Sequence, residues 1–220
     1  VLAQKYVPDF IISDLMMPVC DGTEFCHRIR EDVALSHVPF LMLTALSSDD
    51  ARLDSYRQGV DAFLTKPFEP DLLLSRIENI LRNREKRQLE LVYDLGKRLV
   101  TVNIEKPDKL FMEKLMQIME EHYTNPEFSV SELAAEMRMS NSSFYKKITA
   151  LTGLSASAFI RLYRLQIGKR LLEEHVGEAG ISVSEIAYSV GFSDPKYFTR
   201  CFVKEYQIQP KILLMKKQEE

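Results

Sequence analysis

At 220 residues, with 45% hydrophobic content and a formal net charge of −3, the chain has room for two globular domains and is not strongly basic. No apolar run approaches the ~20 residues of a membrane-spanning helix, and the N-terminus carries no signal-peptide pattern. Three scattered cysteines, Cys20, Cys26 and Cys201, show neither a disulfide framework nor metal-binding spacing, which predicts reduced thiols in a cytoplasm.

Residues 1–82 read as α/β. Phe10–Ser13, Phe40–Leu43 and Ala62–Leu64 are short apolar runs of buried-strand type, and amphipathic stretches follow each at 23–31, 49–58 and 70–82. Strands alternating with helices predict a parallel sheet, whose ligands bind at the carboxyl ends of its strands. Asp14, Thr44 and Lys66 stand at those three ends. Asp14 is a candidate nucleophile toward phosphorus, Lys66 can neutralise a phosphoryl oxygen, and Thr44 can hydrogen-bond another. Mg²⁺ is the expected bridge between carboxylate and phosphoryl oxygens. A metal-dependent phosphatase or hydrolase on this half is the enzymatic alternative.

The phrases "PDFIISDLMMPVCDG", "FLMLTA" and "DAFLTKPF" resemble the response-regulator receiver domain, a flavodoxin-like parallel sheet. The resemblance implies Asp14 as phosphoacceptor, Thr44 as switch hydroxyl, Phe63 as switch aromatic, and Lys66 as phosphate-sensing lysine before a cis bond to Pro67. It also implies the Met16 carbonyl as a metal ligand and a histidine kinase as phosphodonor. The family's first strand, which ends in a metal-holding acidic pair, has no counterpart here, and Asp49 and Asp50 suit the first turn of a helix instead. The expectation is therefore a receiver lacking its first strands, in a fragment of a longer protein, with Mg²⁺ bound only in the intact receiver and slow phosphorylation here. One edge of the strand ending at Asp14 should lack a partner, which predicts self-association or local disorder.

Residues 83–106 form a charged connector, with Leu89, Val92, Leu95 and Leu99 at helical spacing before Pro107. Such a connector acts as a spacer or passes a twist or dimerisation signal. A helix over 109–123 follows, with Phe111, Leu115, Ile118 and Met119 on its inner face; His122 is read as a packing or surface residue.

Residues 129–213 hold an internal repeat. SVSELAAEMRMS (129–140) aligns with SVSEIAYSVGFS (182–193), and further on Phe144 aligns with Phe198, Lys146 with Arg200, and Ile148 with Phe202. Ser129-x-x-Glu132 and Ser182-x-x-Glu185 are capping boxes opening short helices. Gly191 supplies the turn in the second unit; Arg138 occupies that place in the first, which predicts a different winding. Ser140 and Ser193 are expected to cap the following helices. Helix 141–151 should bury Phe144, Ile148 and Leu151 and leave Ser142, Ser143, Tyr145, Lys146 and Lys147 outside. Helix 194–206 should bury Phe198 and Phe202 and present Lys196, Tyr197, Thr199 and Arg200. Hydroxyls and cations at a helix start suit phosphates and base edges. Residues 107–220 carry 15 basic and 15 acidic residues, so a DNA binder must gather its cations on one face. A long helix over 156–174, with Phe159, Tyr163, Ile167 and Leu171 on one face, would hold the two helix-turn-helix readers apart for major grooves ~34 Å apart.

The segments "MSNSSFYKKITALTGLSASAFI", "RLLEE" and "ISVSEIAYSVGFSDPKYFTRCFVKEY" resemble the AraC/XylS DNA-binding domain over residues 107–213. That resemblance implies base-facing positions at Ser142, Tyr145 and Lys146, and at Lys196, Tyr197, Thr199 and Arg200. The family's glycine near the end of the second unit is replaced by Gln207. The expected organisation is a receiver over 1–82, a helical linker over 83–106 and an all-α double helix-turn-helix domain over 107–220. It resembles the C-terminal end of Bacteroidetes hybrid two-component sensor-regulators, with the stand-alone cytoplasmic response regulator as alternative; a hybrid parent would be membrane-anchored. The implied function is a non-enzymatic, phosphorylation-controlled transcription regulator. Its implied partners are double-stranded DNA, a histidine kinase, RNA polymerase and a second copy of the chain through receiver or linker. The rival reading is a phosphorelay module whose helices dock a protein.

Overall fold

A computed structural model describes residues 2–45, 59–96, 106–177 and 180–215. Two compact units emerge, residues 1–113 with 139–154, and residues 114–138 with 155–220. In this division residues 139–154 group with the first unit. Among the described residues no helix is long and apolar enough to cross a membrane.

The first unit opens with α1 (Leu2–Tyr6), β1 (Ile11–Asp14), α2 (Gly22–Glu31), β2 (Phe40–Thr44), β3 (Ala62–Thr65) and α3 (Pro70–Gly96). The strands form a parallel sheet in the order β1-β2-β3, with Asp14 beside Leu43 and Thr44 beside Thr65. Its central strand is covered on both faces, which demands the unbroken apolar run of β2. Phe40 and Met42 join Cys26 and Ile29 of α2 in one cluster, while Leu41, pointing the other way, joins Ala62 and Ile80 of α3. Among the described residues β1 pairs with β2 alone. The expected helix over 49–58, with Asp49 and Asp50, lies outside the described residues.

Arg30 ties this sheet together from α2. Its guanidinium donates to the Gly59, Ser36 and Val38 carbonyls at 2.8, 3.0 and 2.8 Å, and pairs with Asp61 at 2.8 Å. The same Asp61 oxygen accepts the Phe40 amide at 2.7 Å. A buried guanidinium with this many partners is satisfied, and it fixes the starts of β2 and β3.

Helix α3 runs on through the predicted connector. Its inner stripe is Ile80, Arg84, Gln88 and Leu91, spaced four, four and three apart. Leu89, the first of the helically spaced apolar residues of the connector, is 73% exposed while Leu91 is 2% exposed. The inner stripe holds two polar residues, so it does not follow the apolar spacing of the connector. Leu99 lies outside the described residues, as do the side chains of Val92 and Leu95. Helix α4 (Lys106–His122) takes Pro107 into its first turn, where a missing amide costs nothing. Helix α6 (Asn141–Thr152) completes the unit, with Phe144 and Ile148 buried and Leu151 half-buried, and with the Phe144 ring 6.2 Å from that of Phe111.

The second unit contains α5 (Val130–Glu136), α7 (Ala156–Glu174), α8 (Val183–Ser189), α9 (Pro195–Tyr206) and α10 (Pro210–Met215). Both capping boxes form: Ser129 and Ser182 each accept an amide from the glutamate three residues on, whose carboxylate reaches back. Helix α7 buries Phe159, Tyr163 and Ile167 as expected, and also Ile160, Leu165 and Leu172, so it is a central helix and not an amphipathic strut. His122 stacks on Phe128 at 4.5 Å and pairs with Glu136 at 3.1 Å, a packing role.

Two local expectations are corrected. Arg138 takes φ +56°, so the first turn is left-handed like that at Gly191 (φ +81°). Glycine is required at 191, since a Cβ there would lie 2.1 Å from the Tyr123 carbonyl. The cap of α9 is Asp194, not Ser193: the Asp194 carboxylate accepts the Lys196 amide at 2.8 Å, and Pro195 opens the helix. Gln207 keeps the left-handed cap geometry at φ +57°, so α10 enters at Pro210 without a glycine before it.

Candidate phosphoacceptor site and nucleic-acid interface

The three strand ends converge as expected. Asp14 closes β1, Thr44 closes β2, and Lys66 follows β3, its amide bonded to the Thr44 carbonyl at 2.8 Å. The Lys66 ammonium bonds and ion-pairs with the Asp14 carboxylate, whose other oxygen accepts the Met16 amide at 3.3 Å. These contacts, the Lys66 hydrogen bond foremost, hold the Asp14 carboxyl below the usual carboxylate range, so it is anionic at neutral pH. Asp14 and Lys66 both remain open to solvent, Thr44 is buried, and Phe63 packs half-buried against the α2-side cluster. The Lys66–Pro67 bond is cis. Gly22 lets α2 start against this site, as a Cβ there would lie 2.4 Å from the Asp14 carbonyl. The ensemble offers an accessible carboxylate nucleophile beside a cation that can neutralise a phosphoryl oxygen.

The residues present fit a divalent cation poorly. The Asp14 carboxylate and the Met16 carbonyl are two oxygen donors, against the ~6 a hard divalent cation takes. Among the described residues no trio of ligating side chains gathers at Asp14.

The helices read as recognition elements differ from one another. On α9, Lys196, Tyr197 and Arg200 are exposed and Thr199 is half-buried, opposite the buried Phe198 and Phe202. The Thr199 hydroxyl donates back to the Pro195 carbonyl at 3.0 Å, and the Arg200 guanidinium lies 5.8 Å from the Tyr197 ring centroid. Arg161 of α7, unmarked by the sequence, reaches the Tyr197 hydroxyl at 3.5 Å and adds a third cation to this face, beside Lys196 and Arg200.

On α6, Ser142 and Tyr145 are exposed. Ser143 is drawn into the cap, its amide 3.2 Å from the Ser140 hydroxyl. Lys146 points outward, but its ammonium donates to the Tyr6 and Val7 carbonyls at 2.6 and 2.7 Å. Lys147 corrects the sequence reading. It is fully buried, 2.6 Å from Asp108 and 2.8 Å from the Ser36 hydroxyl. Position 147 lies three residues beyond Phe144 and so falls on the buried face of the helix. The aligned position in the second unit is the half-buried Cys201.

Comparison with known proteins agrees with both halves. Residues 1–78 match the family described as response regulator receiver domain, and residues 133–214 match a helix-turn-helix domain family. Histidine kinase P4 of Formosa agariphila is 35% identical over 211 residues, which are 95% of this chain and 15% of that protein. The C-terminal domain of the two-component response regulator yesN from Fusobacterium nucleatum is 30% identical, over 47% of this chain and 96% of that one, at a TM-score of 0.42. The DNA-binding domain of AdpA, a global transcriptional factor solved with a target DNA, is 27% identical over 47% of this chain and 88% of that one, at a TM-score of 0.41. The chain thus spans a small part of the curated kinase and nearly all of the yesN domain.

Proposed function

We propose that this chain, which belongs to the response regulators carrying a receiver and an AraC-type helix-turn-helix domain, is a sequence-specific transcription regulator whose DNA binding is set by phosphorylation of Asp14. The receiver, residues 1–82, takes the phosphoryl group from the phosphohistidine of a histidine kinase. An Asp14 carboxylate oxygen attacks phosphorus, the P–N bond breaks as the O–P bond forms, and the electron pair leaves with the imidazole. Lys66 neutralises the phosphoryl oxygens, with Thr44 and Phe63 as the residues that respond. Residues 107–220 read double-stranded DNA. Ser142, Tyr145 and Lys146 face bases from the first reader, and Lys196, Tyr197, Thr199 and Arg200 from the second.

The observation that carries the DNA reading is α9, whose solvent face gathers Lys196, Tyr197 and Arg200 while Phe198 and Phe202 anchor its back. Arg200 suits a bidentate contact to guanine. Selection of bound duplexes from a random library tests it. An enriched sequence block should appear, and Arg200→Ala should relax that block at a cost of ~1–3 kcal/mol. A pool that stays random, with binding that only fades as salt rises, would mean phosphate attraction alone and would favour a protein-docking role.

A further inference from the structure

The two readers differ in what they touch. While α9 keeps its polar face in solvent, α6 is gripped from its middle to its C-terminal end within its own compact unit. At its middle, the Lys146 ammonium donates to the carbonyls of Tyr6 and Val7, just ahead of β1. Beside it, Ser36, just ahead of β2, accepts from Lys147 at 2.8 Å and donates to Asp108 at 2.8 Å. Near its C-terminal end, Gln88 of α3 donates to the Ala150 and Thr149 carbonyls at 2.7 and 3.2 Å, and Arg84 donates to the Ala150 carbonyl at 3.1 Å.

The direction of these bonds is informative. A helix interior spends its carbonyls on its own ladder, and only the last four lack that partner. Ala150 is among those last four, whereas the Thr149 carbonyl already accepts the Gly153 amide at 2.8 Å, so at Ala150 Gln88 and Arg84 satisfy an orphan acceptor as a cap would. Arg84 is largely withdrawn from water to do so, which pulls its guanidinium pKa down. Contacts to the adjacent Lys146 and Lys147 at mid-helix, and to Thr149 and Ala150 just beyond, describe a fitted seat for the C-terminal half of α6. The seat also lies at the opposite end of the parallel strands from Asp14, Thr44 and Lys66, because Val7 and Ser36 precede the strands that those residues close.

We infer that the Tyr6–Val7 segment, the Ser36 loop and the Arg84–Gln88 face of α3 form a docking surface whose occupant is this chain's own first recognition helix, so that DNA is engaged by the second reader first and by the first reader only after α6 leaves its seat. The inference rests on the DNA reading above. While α6 is seated, two of the three Lys146 donors are held by the Tyr6 and Val7 carbonyls, so apparent affinity at the first block is scaled down to the undocked fraction.

The test uses the full chain and two variants that spare every DNA-facing residue: Ser36→Ala with Gln88→Ala, and Arg84→Ala. Lysine acylation read by mass spectrometry, without DNA, should show Lys146 far less reactive than Lys196 in the parent chain and nearly as reactive in the variants. On duplexes selected from a random library, the parent should protect mainly the block that Arg200→Ala relaxes. The variants should add a second block that Lys146→Ala relaxes, and bind the longer site about tenfold tighter, the loss of roughly two hydrogen bonds from the docked state. Equal Lys146 reactivity and equal footprints in parent and variants would overturn the seat while leaving the DNA reading intact. Failure of every chain to select any sequence, with acylation as expected, would overturn the order of engagement together with the DNA reading.

Discussion

Lys147 Nζ lies 2.6 Å from an Asp108 carboxylate oxygen, with the lysine side chain wholly removed from water. Taking two charges out of water is costly, and the attraction repays it only when both partners are present. Lys147→Met alone should therefore destabilise the chain by about 3–5 kcal/mol, by leaving Asp108 buried without its cation. The double change Lys147→Met with Asp108→Leu should recover most of that loss. Urea unfolding of the two variants measures the difference. If Lys147 served DNA instead, the single variant would keep its unfolding midpoint and lower the salt slope of DNA binding by about one.

That pair marks the limit of what the sequence made legible. The strands were readable because a doubly covered sheet needs runs such as Phe40–Leu43, and the capping boxes because Ser-x-x-Glu is a local signal with a local cause. The ends of α7 were readable for the same reason, as Ser155 caps it and Glu174 precedes a non-helical His175. Polar residues with long-range partners were not. Arg30, Arg84, Gln88 and Lys147 all look like solvent-facing helix positions until the chain brings Asp61, the Ala150 carbonyl and Asp108 to them. The convergence of Asp14 and Lys66 could be foreseen because parallel strands place their carboxyl ends together. The seat under α6 could not, since its acceptors are main-chain carbonyls that leave no mark in side-chain chemistry.

His37 gives the first unit a dependence on acid. Its pKa is pushed down to about 3, chiefly by burial and then by the Lys147 charge, with Arg84 and Arg30 adding to the depression and Asp108 opposing it. Its Nδ1 is buried without a partner. The unfolded chain takes up a proton near the ordinary histidine pKa, while the folded chain resists until about 3. His37 therefore adds no penalty above pH ~6.5, and stability falls as pH drops through the window below it, at up to about 1.4 kcal/mol per pH unit. Urea midpoints measured between pH 7 and pH 5 should decline in the parent chain and decline less in His37→Leu. Equal slopes would show that carboxylates alone set the acid sensitivity.

The Asp14 carboxyl should titrate below the usual carboxylate range, because the Lys66 ammonium and the Met16 amide bond its anionic form. Carbon-detected NMR of the side-chain carboxyl follows it directly. Lys66→Met removes the largest cause and should move the midpoint upward. A midpoint unchanged by Lys66→Met would mean that the ion pair contributes nothing in solution.

Gln207 holds α9's left-handed cap, φ +57°, where a glycine would sit without strain. A left-handed conformation costs an L-residue roughly 1–2 kcal/mol. Gln207→Gly relieves that cost, but it loosens the unfolded chain and deletes the bond from the Gln207 amide to the Lys204 carbonyl at 2.9 Å. The bond is exposed and contributes little, so the net expectation is a gain of about 0.5 kcal/mol. Gln207→Ala separates the causes, since it deletes the same bond and keeps the strain. It should lower the urea midpoint where glycine raises it, with the slope of the transition unchanged in both. Two variants that shift the midpoint in the same direction would mean that the side-chain bond, and not the backbone, sets the stability of this cap.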